Sequence, residues 1–329
     1  MELQPASVHI GAEIAGVDLG VPLSRDEIDE IWHALVKWKV VFFRGQDLDH
    51  DRHVALARQF GVPTPGHVVF GGEEDHPAVY SIAKFRTANS GSGQALYRPW
   101  TGWHTDITAA VNPPGQSILR GDVVPPYGGD TQWTDLGAAY RALSPTMQAF
   151  VDGLRGLHRF AAASATADAG QAASTNYRQR VTSRALVSEH PVVRVHPESG
   201  ERVLFISPGF LRSIVGLTPR ESQGLVEMLW EHAVRPEFTV RFRWEPGSVA
   251  FWDNRSTAHL APRDIYDTDF DRQFWRVTLM GEVPVGVDGQ PSTAIEGEPI
   301  EPLPGDSAPP ATSGPNHGPA SMTATAASP

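Results

Sequence analysis

His104 and Asp106 stand two apart in Trp-His-Thr-Asp, and His259 closes the later run Trp-Asp-Asn-Arg-Ser-Thr-Ala-His. Two imidazoles and one carboxylate can occupy one face of an Fe(II) ion and leave the opposite face open for substrate chemistry. On an extended segment, residues two apart face the same way, so His104 and Asp106 can reach a common ion while Thr105 points away. A His-x-Asp tripeptide is weak alone, because a chain with thirteen histidines contains about one by chance. His196-Pro197-Glu198 has the same form, but beside Ser199-Gly200 it reads as turn chemistry. His259 gains weight from context: Val249 to Trp252 reads as a buried strand running into polar Asp253-Asn254-Arg255, and sites are built where apolar strands end in polar residues. Beyond His259 come Arg272 and then Arg276, the latter between Trp275 and Val277 in an apolar run. A guanidinium held there requires an anion, and one fixed near an iron site suits a dicarboxylic acid.

The elements that must position these groups are mostly strands. Ser24 with Glu27 forms a capping-box signature ahead of Ile28, Ile31 and Leu35 at helical spacing, and Lys39 ends that helix. Val8 to Ile14 and Val40 to Phe43 read as strands on either side of it. From Pro63 to Pro99 the chain is rich in Gly, Pro and polar residues, with only Ala78 to Ile82 strand-like. Gln116 to Val123 and Asp130 to Trp133 follow as strands. Helices are expected from about Asp135 to Leu143 and, after Ser144-Pro145, to about Leu157. Ala161 to Ser174 is small and polar, a composition that buries little surface and predicts mobility. In the second half, Val192 to His196 and Arg202 to Ile206 flank a hairpin turn, and Thr218-Pro219-Arg220-Glu221 opens a helix. Phe238 to Trp244, Ser248 to Trp252 and Phe274 to Met280 complete the strands. The expected architecture is mainly β with flanking helices, on a double-stranded β-helix (jelly-roll) core whose mouth holds the metal. Residues 1–296 form this one domain, and the Pro/Gly/Ser/Ala-rich 297–329 reads as a disordered tail.

Bulk composition narrows the function. With 40% hydrophobic and 20% charged residues and no run of about 18 apolar residues, the chain reads as a soluble protein and not a membrane one. The start Met-Glu-Leu-Gln-Pro carries neither a basic nor an apolar export signal, which points to the cytoplasm. The absence of cysteine excludes disulfides, thiolate nucleophiles, iron–sulfur clusters and sulfur-built zinc sites. A net charge of -11 argues against nucleic acid, and Arg241 with Arg243 reads as a solvated strand face.

The sequence resembles the Fe(II)- and 2-oxoglutarate-dependent dioxygenases of the taurine dioxygenase (TauD/TfdA) family, which includes alkylsulfatases and phenoxyalkanoate-cleaving enzymes. The similarity runs from Val8 to about Val287. It rests on Ile10-Gly11-Ala12-Glu13, Val40-Val41-Phe42-Phe43-Arg44-Gly45-Gln46, Trp103-His104-Thr105-Asp106, Gly128-Gly129-Asp130-Thr131, His190-Pro191-Val192-Val193-Arg194, Trp252-Asp253-Asn254-Arg255 and Arg276-Val277-Thr278-Leu279-Met280-Gly281. The alkylsulfatase branch is nearest, through Val192 to Arg202 and Thr278 to Val283.

The resemblance implies that His104, Asp106 and His259 are the iron ligands. It implies that Arg272 grips the distal carboxylate of 2-oxoglutarate, supported by the Thr131 hydroxyl, and that Arg276 pairs with an anionic group of the substrate. His67 corresponds to a substrate-contacting histidine and Phe205 to an aromatic wall. Trp100 stands where the sulfonate enzymes have asparagine, which implies a pocket different from one for taurine. The implied cofactor set is Fe(II) with 2-oxoglutarate and O2 as cosubstrates. The implied reaction hydroxylates an aliphatic C–H of a small anionic molecule, an alkyl sulfate, sulfonate or carboxylate. Where the carbon bears a heteroatom group, the product collapses to a carbonyl compound and a released anion. Retention of Asp106 leaves no vacated position for halide. Relatives of this type often form homo-oligomers. The alternatives are a tailoring hydroxylase or desaturase acting on an amino acid or natural-product intermediate and, further off, a non-catalytic metal-binding jelly roll.

Overall fold

Alternation along the strands decides the layering. Val40 and Phe42 alternate with Val41 and Phe43, Ala250 and Trp252 with Val249 and Phe251, and Phe274 with Val277 and Leu279. The first member of each set joins Ile10, Leu119, Trp133 and Phe242 in a core between two sheets. The second member meets Ile31, Leu35 and Leu56, which belong to two covering helices. Both faces of these strands are therefore apolar, as a sheet covered on both sides requires. The computed structural model describes residues 1–67, 71–83, 98, 100–160 and 185–306.

The larger sheet has seven strands in the order Glu2–Pro5, Ala12–Ala15, Val40–Phe43, Val249–Asp253, Gln116–Val123, Gln273–Leu279 and Tyr80–Ala83. Its smaller partner runs Thr239–Phe242, Thr131–Asp135, Thr257–Leu260. Together they form the jelly-roll core. Residues opposite one another across a strand pair share a face, so register shows what points into the sandwich. Arg276 lies opposite Leu119 and Thr278 opposite Ser117. Leu119 in turn lies opposite Ala250, and Ser117 opposite Trp252. Phe274, Arg276 and Ser117 thus share the inner face, and Arg272, just before the strand, lays its guanidinium over the Phe274 ring. In the smaller sheet His259 and Val240 lie opposite Trp133, and Phe242 opposite Thr131, which places His259 and Thr131 on the wall facing the arginines.

The helices behave as their caps dictate. Arg25–Trp38 has the full Ser24/Glu27 capping box and stops at Lys39, which adopts a left-handed φ of 68°. Pro219–Ala233 has the equivalent box from Thr218 and Glu221, and packs with Leu136–Arg141 and Pro145–Asp152 on the outer side of the smaller sheet. A helix not foreseen, His50–Phe60, is capped by Asp49 and covers the larger sheet. The helix expected to reach Leu157 ends at Asp152. Gly153 follows, and Arg155–Phe160 is a strand with Gly156 and His158 buried, paired to Leu186–Pro191. Residues of the segment expected as tail make contacts with the rest of the domain. Ile300 is buried and exchanges two hydrogen bonds with the Asn112 side chain, and Arg58 pairs with Asp306. Ala161 to Ser174, Tyr97 and the tail beyond Asp306 lie outside the described residues. No helix among the described residues is long and apolar enough to cross a membrane.

Candidate metal centre

The backbone sets the two imidazoles side by side. His104 and His259 exchange both of their N–H···O bonds, at 2.9 and 2.7 Å, as an isolated antiparallel bridge between the Trp103 segment and the smaller sheet. Directly opposed residues bring their side chains together, and these ring centroids are 4.2 Å apart. Thr105 points away, as its position predicts. Its hydroxyl donates to the Thr257 carbonyl and its N–H to Ser207 Oγ, pinning the segment on the far side. Asp106 then projects beside the histidines, and one donor atom from each of His104, Asp106 and His259 lies within 4.8 Å of the others. Three points no farther apart lie within about 2.8 Å of a common centre, not far above the roughly 2.1 Å of metal–nitrogen and metal–oxygen bonds.

Each donor is prepared for a metal. Gly102 has φ +91°, and a Cβ there would come within 2.7 Å of Leu260. In this conformation its carbonyl lies 3.0 Å from His104 Nδ1, which holds the N–H on that nitrogen and leaves Nε2 as the ligand atom. Burial, His104 and Arg276 push His259 well below the usual imidazole range against the pull of Asp106, so it is neutral, the ligating form. Among the described residues its Nδ1 has no hydrogen-bond partner. Burial alone would raise the Asp106 carboxyl, but Arg276, both imidazoles and the Ser117 hydroxyl together hold it well below the usual carboxylate range. A neutral imidazole at His259 and an ionised carboxylate at Asp106 are the protonation states a divalent transition metal needs. The turn is also strained: Ile107, directly after Asp106, has φ +43°, which a β-branched side chain resists.

Both arginines are buried. Arg272 is 7% exposed, and its Nε donates to the Gly129 carbonyl at 3.1 Å while its guanidinium lies 3.8 Å over the Phe274 ring. Among the described residues no carboxylate pairs with it, and burial lowers its pKa to about 10. Gly129 leaves room for this approach, since a Cβ would sit 3.0 Å from Arg272 Cδ. Thr131 is buried nearby and accepts from Trp244 Nε1 at 3.0 Å, so its own proton is left to donate; Trp244 packs edge-on against Phe274. Arg276 Nη1 donates to Asp106 Oδ1 at 2.5 Å, its Nε has no partner among the described residues, and its guanidinium stands 5.6 Å from the Tyr80 ring.

The remaining positions divide. His67 lies 5.1 Å from Tyr80 and 6.2 Å from Phe160, ring to ring, on the side of the site where Arg276 meets Tyr80. Trp100 and Phe205 both lie in packed surroundings. Trp100 packs with Trp103 in the cluster outside the smaller sheet, with Arg98 across its ring. Phe205 is 2% exposed and enclosed by His158, His190 and Arg194. His196 is indeed turn chemistry: its Nδ1 accepts from the Glu198 and Ser199 amides while Nε2 meets Asp253. Sequence reasoning missed Ser117, whose hydroxyl donates to Asp106 Oδ2 at 2.8 Å, and Tyr80; only strand register brings either to the site.

Residues 2–278 match the family described as "Taurine catabolism dioxygenase TauD, TfdA family". The chain belongs to this family. Within its reach are an alpha-ketoglutarate-dependent sulfate ester dioxygenase of Pseudomonas putida, 41% identical over 88% of this chain and 93% of the relative, and an alkylsulfatase of Acinetobacter baylyi, 35% identical over 88% of each. The crystal structure of a taurine dioxygenase from Burkholderia xenovorans superposes with a TM-score of 0.79, at 60% identity over 91% of this chain and 96% of that one. This TauD/TfdA member is a dioxygenase that depends on Fe(II), 2-oxoglutarate (alpha-ketoglutarate) and O2.

Proposed function

We propose that the enzyme hydroxylates the carbon bearing a sulfate ester in an alkyl sulfate, so that the product collapses to an aldehyde and inorganic sulfate. Bound Fe(II) with 2-oxoglutarate supplies the oxidising chemistry, in which the keto acid loses CO2 to become succinate and one oxygen atom enters the substrate C–H bond. His104, Asp106 and His259 would hold the metal. Arg272, a buried cation lacking a carboxylate partner among the described residues, would seat the distal carboxylate with the Thr131 hydroxyl. Arg276 would take the substrate's anionic head.

The observation that carries the substrate reading is the surroundings of Arg276. Its guanidinium borders Asp106 on one side and Tyr80 on the other, and from Tyr80 a row of rings leads on through His67, Phe160 and Phe210 at centroid spacings of 5.1, 6.2 and 6.1 Å. A cation at the start of an aromatic row suits an anionic head carrying an apolar chain better than a short zwitterion. The sulfate ester and alkyl sulfate chemistry named for the two relatives supports the same reading.

The test is stoichiometric. Purified enzyme with Fe(II), O2 and 2-oxoglutarate is given linear alkyl sulfates, alkylsulfonates, a phenoxyacetate and taurine, and succinate, aldehyde and sulfate are measured. One sulfate and one aldehyde per succinate with the alkyl sulfates is expected; preferential turnover of taurine, or a retained hydroxyl without anion release, overturns the reading. A cytoplasmic location and a homo-oligomeric state belong to the same proposal, and fractionation and light scattering test them.

A further inference from the structure

We infer that Asn254 is a positioning residue that, acting through Ser117, sets which oxygen of Asp106 faces the metal. The inference rests on the reading of Asp106 as a metal ligand. Four groups form a buried chain: Trp252 Nε1 to Asn254 Oδ1 at 2.9 Å, Asn254 Nδ2 to Ser117 Oγ at 2.8 Å, and Ser117 Oγ to Asp106 Oδ2 at 2.8 Å. Ser117 is 0% and Asn254 2% exposed, so water does not compete for these contacts.

The direction of every bond in this chain is determined by its first member. An indole N–H can only donate, so the Asn254 atom facing Trp252 is the carbonyl oxygen and the atom facing Ser117 is the amide nitrogen. Ser117 Oγ must then accept from Asn254, and its own proton has one place left to go, Asp106 Oδ2. That oxygen is drawn toward the larger sheet. The other oxygen, Oδ1, is left on the side of the histidines, 3.9 Å from His259 Nε2, where it also accepts from Arg276 Nη1 at 2.5 Å. The carboxylate thereby offers a metal one oxygen, and the second is held back from chelating.

Asn254 is itself fixed from behind. Its backbone N–H donates to the Gly115 carbonyl at 2.9 Å, one residue before the strand that carries Ser117. The turn holding it is closed by Asp253, which receives the Arg255 amide and guanidinium, while the Thr257 hydroxyl donates to the Asp253 carbonyl. The same turn leads into the strand bearing His259, so one short segment carries one ligand and orients another.

Hydrogen-bonded supporters of metal ligands typically contribute about 10- to 100-fold in metal affinity. The test is Mn(II) affinity, read from the free-ion paramagnetic resonance signal, together with the visible spectrum of the Co(II)-loaded protein and the melting temperature. Wild-type protein that fails to bind Mn(II), or binds it equally well as Asp106→Ala, refutes the underlying ligand reading. With that settled, Ser117→Ala is expected to weaken Mn(II) binding at least about tenfold and to alter the Co(II) spectrum. Ser117→Thr, which keeps the hydroxyl, is expected to stay within about threefold of wild type. Asn254→Ala alone is expected to weaken Mn(II) binding by at least about fivefold, and added to Ser117→Ala to cost no further affinity, because both act through one bond; wild-type affinity in Asn254→Ala overturns the inference. A loss below tenfold in Ser117→Ala, failure of threonine to rescue, or additive losses in the double variant overturns the inference. So does a Ser117→Ala protein that does not fold, which would make the hydroxyl a structural requirement of the sheet.

Discussion

Replacing Arg272 by methionine is expected to make the enzyme more stable and less able to hold 2-oxoglutarate. The guanidinium is buried and its pKa is lowered from 12.5 to about 10, with burial the largest cause. A folded pKa below the unfolded one means that the charged form is penalised in the folded state; for a cation that penalty is full below about pH 10 and fades as pH rises toward 12.5. The difference corresponds to roughly 3 kcal/mol. Against this, the variant loses the hydrogen bond to the Gly129 carbonyl, about 1 kcal/mol, and the stacking over Phe274, about another 1 kcal/mol. A net gain of about 1 kcal/mol remains, or a rise of roughly 2–4 °C in Tm for a domain of this size. Truncating one member of a buried charge pair costs about 2–5 kcal/mol of binding, so 2-oxoglutarate affinity should fall between about 30-fold and several thousand-fold. Thermal unfolding without ligands and the KM for 2-oxoglutarate in a succinate assay give the two readouts. A lower Tm together with a KM within threefold of wild type would refute the reasoning, because Arg272 would then be a structural residue with its charge already satisfied.

Other outcomes follow from the same geometry. Gly102→Ala should weaken Mn(II) binding about tenfold, since its Cβ would meet Leu260 and displace the carbonyl that orients His104; metal titration checks this, and an unchanged affinity separates that carbonyl from ligand orientation. Arg276→Ala should raise the KM for an alkyl sulfate by at least about 30-fold and that for 2-oxoglutarate by less than about threefold, measured by varying each in turn. Burial above all holds His53 and His190 neutral, lowering each from 6.5 to about 3. The unfolded chain therefore takes up protons below about pH 6.5 that the folded chain refuses, and stability present above that pH falls as pH drops toward 3. Urea midpoints at about pH 7.5 and pH 5.5 test the direction, and equal values would contradict it.

The parts of this molecule that were legible in its sequence are those written in short segments. Ser24 with Glu27 and Thr218 with Glu221 announce helix starts through side chains three residues apart, and both boxes form. His104 and Asp106 share a face because they are two apart on extended chain, and Arg276 is conspicuous as a charge inside an apolar strand. What escaped depends on register between distant strands. Ser117 and Asn254 are 137 positions apart and meet only because Trp252 lies opposite Ser117. Arg155–Phe160 has no strong alternation, so its residues up to about Leu157 read as more helix, although pairing to Leu186–Pro191 makes it a strand. Trp100 and Phe205 carry large rings next to site motifs, and composition alone cannot say whether such a ring faces a cavity or fills a core. Ile300 sits in a stretch that looks like tail, and a single apolar residue finding a pocket beside Asn112 is invisible to averages.

The two-residue period of Gln273–Leu279 limits how this enzyme can diverge. Phe274 and Arg276 point into the sandwich, and Trp275, Val277 and Leu279 point to the helices. Inserting or deleting one residue in this strand would exchange the two sets, driving the Arg276 charge into the helix-facing layer and a tryptophan toward the metal. Lineages descending from such an ancestor can change length freely only between strands. New substrates should therefore be acquired through connections such as that between Tyr80–Ala83 and Trp103, and a comparison of relatives should find gaps concentrated there and absent from the strand.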